Sequence, residues 1–182
     1  MPDYLLLFLS IFILHYFSFL IKILKGLKSF DNKFNLKTED EFISVIIPFR
    51  NESENILMSL QSVESLDYPN DKYEVIYVDD DSEDDSFTKL CNAISSPNIK
   101  VIKAVDKVEY KAHKKRAVEL GIERSKGEII VTTDADCRHS PEWLKYLIST
   151  FDNNTAMAAG PVDFFPSSKF MDKLQRLEFQ GL

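Results

Sequence analysis

Two carboxylates one residue apart, Asp134 and Asp136, follow directly on the apolar run Glu128-Ile-Ile-Val-Thr-Thr133. A strand of that kind delivers both acids to its carboxyl edge, where open α/β sheets collect their ligands. Hard oxygen donors in that position suit Mg²⁺ or Mn²⁺ bound together with a substrate diphosphate, so the spacing points to nucleotide-linked chemistry. A mixed cluster of Asp134, Asp136, Cys137 and His139 can also be drawn, but successive residues of a short loop seldom converge tetrahedrally. A second acidic group, Asp79-Asp80-Asp81 with Glu83, Asp84 and Asp85, ends another apolar run, Tyr73 to Val78. Most of these acids read as solvated helix-start residues favoured by the dipole, while a side chain such as Asp80 can accept the imide N–H of uracil or a ribose hydroxyl. Pro48-Phe49-Arg50-Asn51-Glu52 closes a third run, where Pro48 cannot donate a ladder bond and the chain must turn, presenting Arg50, Asn51 and Glu52 at the rim. Taken alone, the same stretch also reads as an ordinary turn in which Asn51 or Ser53 caps the next helix. Lys111, Lys114, Lys115 and Arg116 crowd the start of a helix, where they oppose its dipole unless an anion is near. That suggests a phosphate neighbour, the alternative being a solvated basic face.

The elements that must position these residues alternate. Ile43 to Pro48 reads as a strand, Ser53 to Leu66 as a helix with apolar residues at helical spacing, and Tyr73 to Val78 as a second strand. A helix over Asp84 to Ile94, a strand over Ile99 to Ala104 and a helix over Ala112 to Ser125 follow, the last stopped by Gly127 as a C′ glycine. Glu128 to Thr133 is the fourth strand, and Ser140-Pro141 starts the next helix with a cap residue and Pro at its first position. Thr155 to Val162 reads as a last strand and Ser168 to Phe179 as a final amphipathic helix. Strands recurring with helical crossovers imply an α/β fold with a mostly parallel, right-handed, doubly wound sheet. The three loops named above would then share one edge of that sheet.

The ordered segments Ser44-Val-Ile-Ile-Pro-Phe-Arg-Asn-Glu52, Val78-Asp-Asp-Asp-Ser82, Lys114 with Ala117 to Gly121, and Gly127-Glu-Ile-Ile-Val-Thr-Thr-Asp-Ala-Asp-Cys137 resemble the successive signatures of family 2 glycosyltransferases with the GT-A, Rossmann-like fold. The resemblance implies transfer of a sugar from a nucleoside diphosphate donor, a UDP-sugar, with inversion at the anomeric carbon and help from Mg²⁺ or Mn²⁺. It implies that Pro48, Phe49, Arg50, Glu52 and Asp80 hold the nucleoside and that Lys114 sits near the donor. Asp134 and Asp136 become the D-x-D pair, with Asp136 the first choice for metal contact. Two departures stand out: Asp81 replaces the glycine usual in the second motif, and His113 the glycine usual before the lysine, and both loops depend on backbone geometry. The general base of the family, and a Gln/Arg-x-x-Arg-Trp element after it, do not occur before Leu182. The expectation is therefore an amino-terminal part of a longer transferase, with its catalytic base beyond Leu182.

Tyr4 to Leu24 is almost continuously apolar and, at roughly 1.5 Å per residue, long enough to cross a hydrocarbon core of about 30 Å. Met1-Pro2-Asp3 lacks the basic start of a signal peptide. Lys22, Lys25, Lys28, Lys33 and Lys37 all follow this segment, which places the remainder in the cytoplasm by the positive-inside rule. The organisation expected is a transmembrane helix at 4–24, a juxtamembrane linker at 25–41 and a nucleotide-sugar-binding domain at 42–182. A membrane anchor suggests a lipid-linked or polysaccharide acceptor. The formal charge of -7 argues against nucleic acid as a partner, because phosphate neutralisation needs a basic face. Cys91 and Cys137, without C-x-x-C spacing, indicate neither a disulfide framework nor a zinc thiolate site, and read as reduced intracellular thiols. Two other classes fit part of the pattern: a catalytically silent nucleotide-binding module, and a receiver-like phosphoacceptor domain built on Val78-Asp-Asp-Asp81.

Overall fold

A computed structural model of the chain describes residues 2–29, 41–104, 113–151, 154–160, 162–163, 169 and 171–172. It divides into two units, residues 1–35 and 36–182. The first contains α1 (Pro2–Ser29), a helix of 28 residues. Its stretch Leu7–Lys25 has a mean hydropathy of 2.1 and is long and apolar enough to cross a membrane. Apolar side chains such as Leu7, Phe8, Phe12 and Phe17 are exposed on it. The helix continues through residues 25–29, which the hydropathy reading gave to the linker. Lys25, Leu27 and Lys28 are good helix formers, so the backbone need not stop where the apolar run does.

The second unit is built on β1 (Ile43–Phe49), α2 (Ile56–Glu64), β2 (Tyr73–Asp79), α3 (Ser86–Ala93), β3 (Ile99–Lys103), α4 (His113–Glu123), β4 (Ile129–Thr132) and α5 (Trp143–Ser149). The four strands form one parallel sheet in the order β3-β2-β1-β4. β1 and β2 lie in the middle and are buried along their whole length, which is why both read as continuous apolar runs instead of alternating ones. Their register pairs Ile43 with Tyr73 and Phe49 with Asp79, so the two strands end level.

Each face of the sheet has its own core. Val45, Ile47, Val75 and Tyr77 pack with Ile56, Leu60 and Val63 of α2, Leu90 of α3, and Leu144 and Ile148 of α5. Ile46, Ile76 and Val78 point the other way and meet Ala117 and Leu120 of α4. Helices therefore cover both faces, as a doubly wound sheet requires. Burial pushes the Tyr77 hydroxyl up to about 12, and its oxygen lies 3.0 Å from Ser59 Oγ.

Two glycines fix how closely α4 and β4 approach β1. A Cβ on Gly121 would run into Ile46 Cγ2 and come within 3.3 Å of Val78 Cγ2, so only glycine lets α4 lie this close. A Cβ on Gly127 would strike the Ser44 backbone nitrogen and lie 2.7 Å from Ser44 Oγ. Gly127 is thus a close-packing residue and not the expected C′ cap. Helix α4 ends earlier, with Arg124 N–H donating to Leu120 O at 3.2 Å, and none of the described glycines has positive φ. The Gly127 amide donates to Ser44 Oγ at 2.8 Å, and the Lys126 amide to Glu74 Oε1 at 2.7 Å. Ser44 Oγ and Lys100 Nζ also donate to Glu74, at 2.7 and 2.9 Å. Burial opposes ionisation of Glu74, but the bonds from Lys100, Ser44 and Lys126 outweigh it and hold its carboxyl below the usual range. This polar lattice ties the entry of β4 to the amino ends of β1 and β2.

The strand expected at Thr155 to Val162 is not formed in its described residues, 155–160 and 162. Ala156, Met157, Ala158 and Ala159 carry no β-branched side chain, and Met157 is exposed. Of the final helix expected at Ser168 to Phe179, Met171 and Asp172 are helical and most of the rest lies outside the described residues. The helix after β4 starts at Trp143 and not at Pro141, because the Trp143 amide turns back to Ser140 O at 3.0 Å.

Candidate active site

The strand order reverses between β1 and β4: the chain walks from β1 to β2 to β3, then returns to the far side of β1. Loops leaving adjacent strands on either side of such a switch point separate and leave a crevice at the carboxyl edge. A cavity of about 360 Å³ lies there. It is lined by Pro48, Phe49, Arg50 and Glu52 after β1, Asp80 after β2, Lys114 at the start of α4, and Asp134, Ala135 and Asp136 after β4. Pro48, Phe49, Arg50, Glu52, Asp80, Lys114, Asp134 and Asp136, the residues the resemblance assigns to the donor site, thus lie on one cavity, although they are up to 88 positions apart in the numbering from 48 to 136; Asn51, Lys115 and Arg116 do not line it, and Lys111 lies outside the described residues.

The spacing of the D-x-D acids has a packing cause. Ala135 is 3% exposed and belongs to the core, whereas Asp134 and Asp136 are exposed on either side of it. One small apolar residue pins the loop, and its neighbours are forced outward. The other two loops are clipped to each other. Asn51 N–H donates to Ser82 Oγ at 3.0 Å, Glu83 N–H donates to Asn51 Oδ1 at 2.8 Å, and Ser82 N–H donates to Asp79 Oδ1 at 3.0 Å. Further along, Ser53 N–H donates to Asp84 Oδ2 at 3.0 Å, and the Ser53 hydroxyl bonds Asp85 Oδ1. Asn51 is therefore a bridge and not the cap of α2, whose N-cap is Asn55. Arg50 lies 3.6 Å from Glu83 on the exposed rim.

Asn51 and Asp81 hold φ of 55° and 63°, in the left-handed region. This explains why a glycine suits the position of Asp81, and why an aspartate can stand there: Asn and Asp tolerate that conformation better than other side chains. The side chain of His113, which stands in place of the other glycine, lies outside the described residues.

The cationic cluster divides by helix geometry. At 100° per residue, with Ala117 and Gly121 turned to the sheet, Lys115 points away while Lys114 and Arg116 flank the buried stripe. Lys115 accordingly pairs with Glu119 at 3.7 Å in solvent. Lys114 Nζ lies 2.7 Å from Asp134 Oδ1. Arg116 Nη2 lies 2.9 Å from Asp80 Oδ1 and 3.2 Å from Ala104 O, with side chains only 16% and 5% exposed for Arg116 and Asp80. The role of Arg116 in fixing Asp80 was not legible in the sequence, since it depends on which strand end the helix start overlies. The helical wheel carried the only signal.

The mixed metal cluster is not assembled. His139 stacks on Trp143 at 3.7 Å between centroids, and burial pulls its pKa down to about 4. Burial, then the Asp136 charge, push the Cys137 thiol up. Among the described residues no group of three or more His, Cys, Asp or Glu side chains is placed to cage a metal. The donor set that remains is two exposed carboxylates on a cavity wall. That set fits Mg²⁺ or Mn²⁺, which take one or two carboxylates and fill their remaining positions with water and substrate phosphate.

The sequence pattern of glycosyl transferase family 2 matches residues 44–180, which contain the whole sheet beyond Ile43 and all three loops. The chain belongs to this family. The glycosyltransferase AglE of Haloferax volcanii is 34% identical over 126 residues, covering 68% of this chain and 40% of that protein. An undecaprenyl-phosphate 4-deoxy-4-formamido-L-arabinose transferase of Edwardsiella ictaluri is 31% identical over 113 residues, 62% of this chain and 34% of that one. The chain thus spans well under half the length of these relatives. A Pyrobaculum calidifontis mannosyltransferase solved with GDP-Man and Mn²⁺ superimposes with a TM-score of 0.63 over 82% of this chain and 44% of its own, at 24% identity, and shares the fold. Residues 1–349 of S. aureus TarS, solved with UDP-GlcNAc, give a TM-score of 0.51 and 27% identity over 57% of this chain and 29% of that chain. Family membership removes the receiver-like alternative.

Proposed function

We propose that residues 42–182 are the donor-binding part of a membrane-anchored glycosyltransferase that takes a sugar from a nucleoside diphosphate donor, a UDP-sugar, with a divalent cation and inversion at the anomeric carbon. The observation that carries this reading is the meeting of three loops and the start of α4 around one cavity at the switch point of the sheet. Arg116 orients Asp80, so its carboxylate can accept a base imide N–H or a ribose hydroxyl. Pro48 and Phe49 wall the cavity beside it, with Arg50 and Glu52 at the rim. Lys114 pairs with donor phosphate, and Asp134 and Asp136 hold Mg²⁺ or Mn²⁺. When bound, that cation supplies Lewis-acid stabilisation of the charge left on the departing nucleoside diphosphate.

The choice of UDP is supported by the TarS complex with UDP-GlcNAc. The undecaprenyl-phosphate transferase among the relatives supports a lipid-linked acceptor, as does the apolar helix α1, which would keep the domain at the cytoplasmic face of a membrane. The base that deprotonates the acceptor is assigned to none of the described residues. Isothermal titration of the chain with UDP, with and without Mn²⁺, tests the proposal: UDP affinity should require Mn²⁺ and disappear in Asp136→Asn. Because Asp136 is exposed, that substitution should change stability by less than about 1 kcal/mol. Mn²⁺-dependent UDP affinity retained in Asp136→Asn would remove Asp136 from the site.

A further inference from the structure

The two ion pairs in the cavity wall differ in kind. Arg116 and Asp80 are buried against each other, whereas Lys114 and Asp134, at 2.7 Å, have side chains 66% and 52% exposed. An ammonium at contact distance occupies lone-pair directions through which the same carboxylate oxygen would bind a divalent cation, and the two cations repel. A phosphate in the cavity offers Lys114 a more highly charged acceptor with several oxygens. The lysine stem is flexible, and α4 is anchored behind it by Ala117 and Gly121, so the ammonium can swing without moving the helix.

We infer that Lys114 is an exchangeable counter-cation for Asp134: it holds the carboxylate until a nucleoside diphosphate draws it away, and metal and nucleotide therefore fill the site cooperatively. The inference rests on the donor-site reading and adds the order in which that site fills. By linkage the coupling is reciprocal, each ligand raising affinity for the other by the same factor. Without Lys114 the carboxylate is open to metal from the start.

The test is Mn²⁺ binding to the full 182-residue chain in detergent micelles, followed by electron paramagnetic resonance of free Mn²⁺, first alone and then with UDP. Lys114→Met should tighten Mn²⁺ binding in the absence of nucleotide roughly two- to fivefold, the range an exposed ion pair is worth. It should also shrink the gain in Mn²⁺ affinity that UDP produces. Lys114→Arg, which keeps the charge, should bind Mn²⁺ alone as the native chain does. If Asp134→Asn loses Mn²⁺ while Lys114→Met binds it no more tightly than native, the exchange is overturned and the donor site stands. Mn²⁺ binding indifferent to both Asp134→Asn and Asp136→Asn would overturn the donor site itself.

Discussion

Replacing Asn51 separates two contributions that the loop clip combines. Its side chain accepts the Glu83 amide at 2.8 Å, and its backbone sits at φ 55°. Asn51→Ala removes the acceptor, a loss of about 0.5–1.5 kcal/mol, and leaves an alanine in the left-handed region at a further cost of about 1 kcal/mol. The expected destabilisation is therefore about 1.5–2.5 kcal/mol. Asn51→Gly removes the acceptor but accepts the backbone conformation, so about 1 kcal/mol should remain. Asn51→Asp keeps both an acceptor and tolerance of positive φ, and should lie close to native. Trp143, the single tryptophan, sits half-buried in the globular unit and reports urea unfolding by fluorescence. UDP titration in Mn²⁺ gives the second readout. Because Arg50, Glu52 and Asp80 line the cavity next to the clipped residues, Asn51→Gly should weaken UDP several-fold while Asn51→Asp does not. Native stability and native UDP affinity in Asn51→Gly would refute the clip. Equal destabilisation in the glycine and alanine variants would refute the backbone contribution.

Other perturbations follow from the packing and the charges. Gly121→Ala drives a methyl into Ile46 and should cost about 1–3 kcal/mol, with UDP affinity falling as the start of α4 lifts from the sheet; a variant as stable as native would show that α4 does not need the close approach. His139 has its pKa lowered from 6.5 to about 4 by burial, so between those pH values the unfolded chain binds the extra proton and stability falls as the solution is acidified. Discounted for partial exposure, the loss from pH 7 to pH 4.5 is on the order of 1–2 kcal/mol. His139→Phe keeps a ring on Trp143 and should flatten that part of the pH profile of the urea midpoint. An unchanged profile would exclude His139 as its source.

Local chemistry made much of this molecule readable in one dimension. The apolar runs of β1 and β2 announce buried parallel strands, because burial on both faces leaves no polar alternation, and the acids that follow β2 and β4 mark the candidate ligand edge. Ala117 and Gly121, one helical turn apart, likewise mark the face that α4 turns to the sheet. Element ends were less legible: α2 begins at Ile56 and not at Ser53, because the Ser53 amide and hydroxyl are taken by Asp84 and Asp85 on another loop. The Thr155 to Val162 reading failed for a related reason, since an apolar stretch becomes a strand only where a neighbour supplies ladder bonds and a face to bury it.

What the chain determines alone is the type of each element and the residues set at its end, since both follow from side-chain volume, period and backbone restriction within a few positions. Which of those ends meet was decided by the tertiary structure. The order β3-β2-β1-β4 opens the crevice beside β1, and the close approach of α4 sends Arg116 to Asp80 and Lys114 to Asp134 while Lys115 remains in solvent. Ion pairs across 36 and 20 positions have no local signature, because a charge chooses its partner by distance and burial, and neither exists until the sheet has formed.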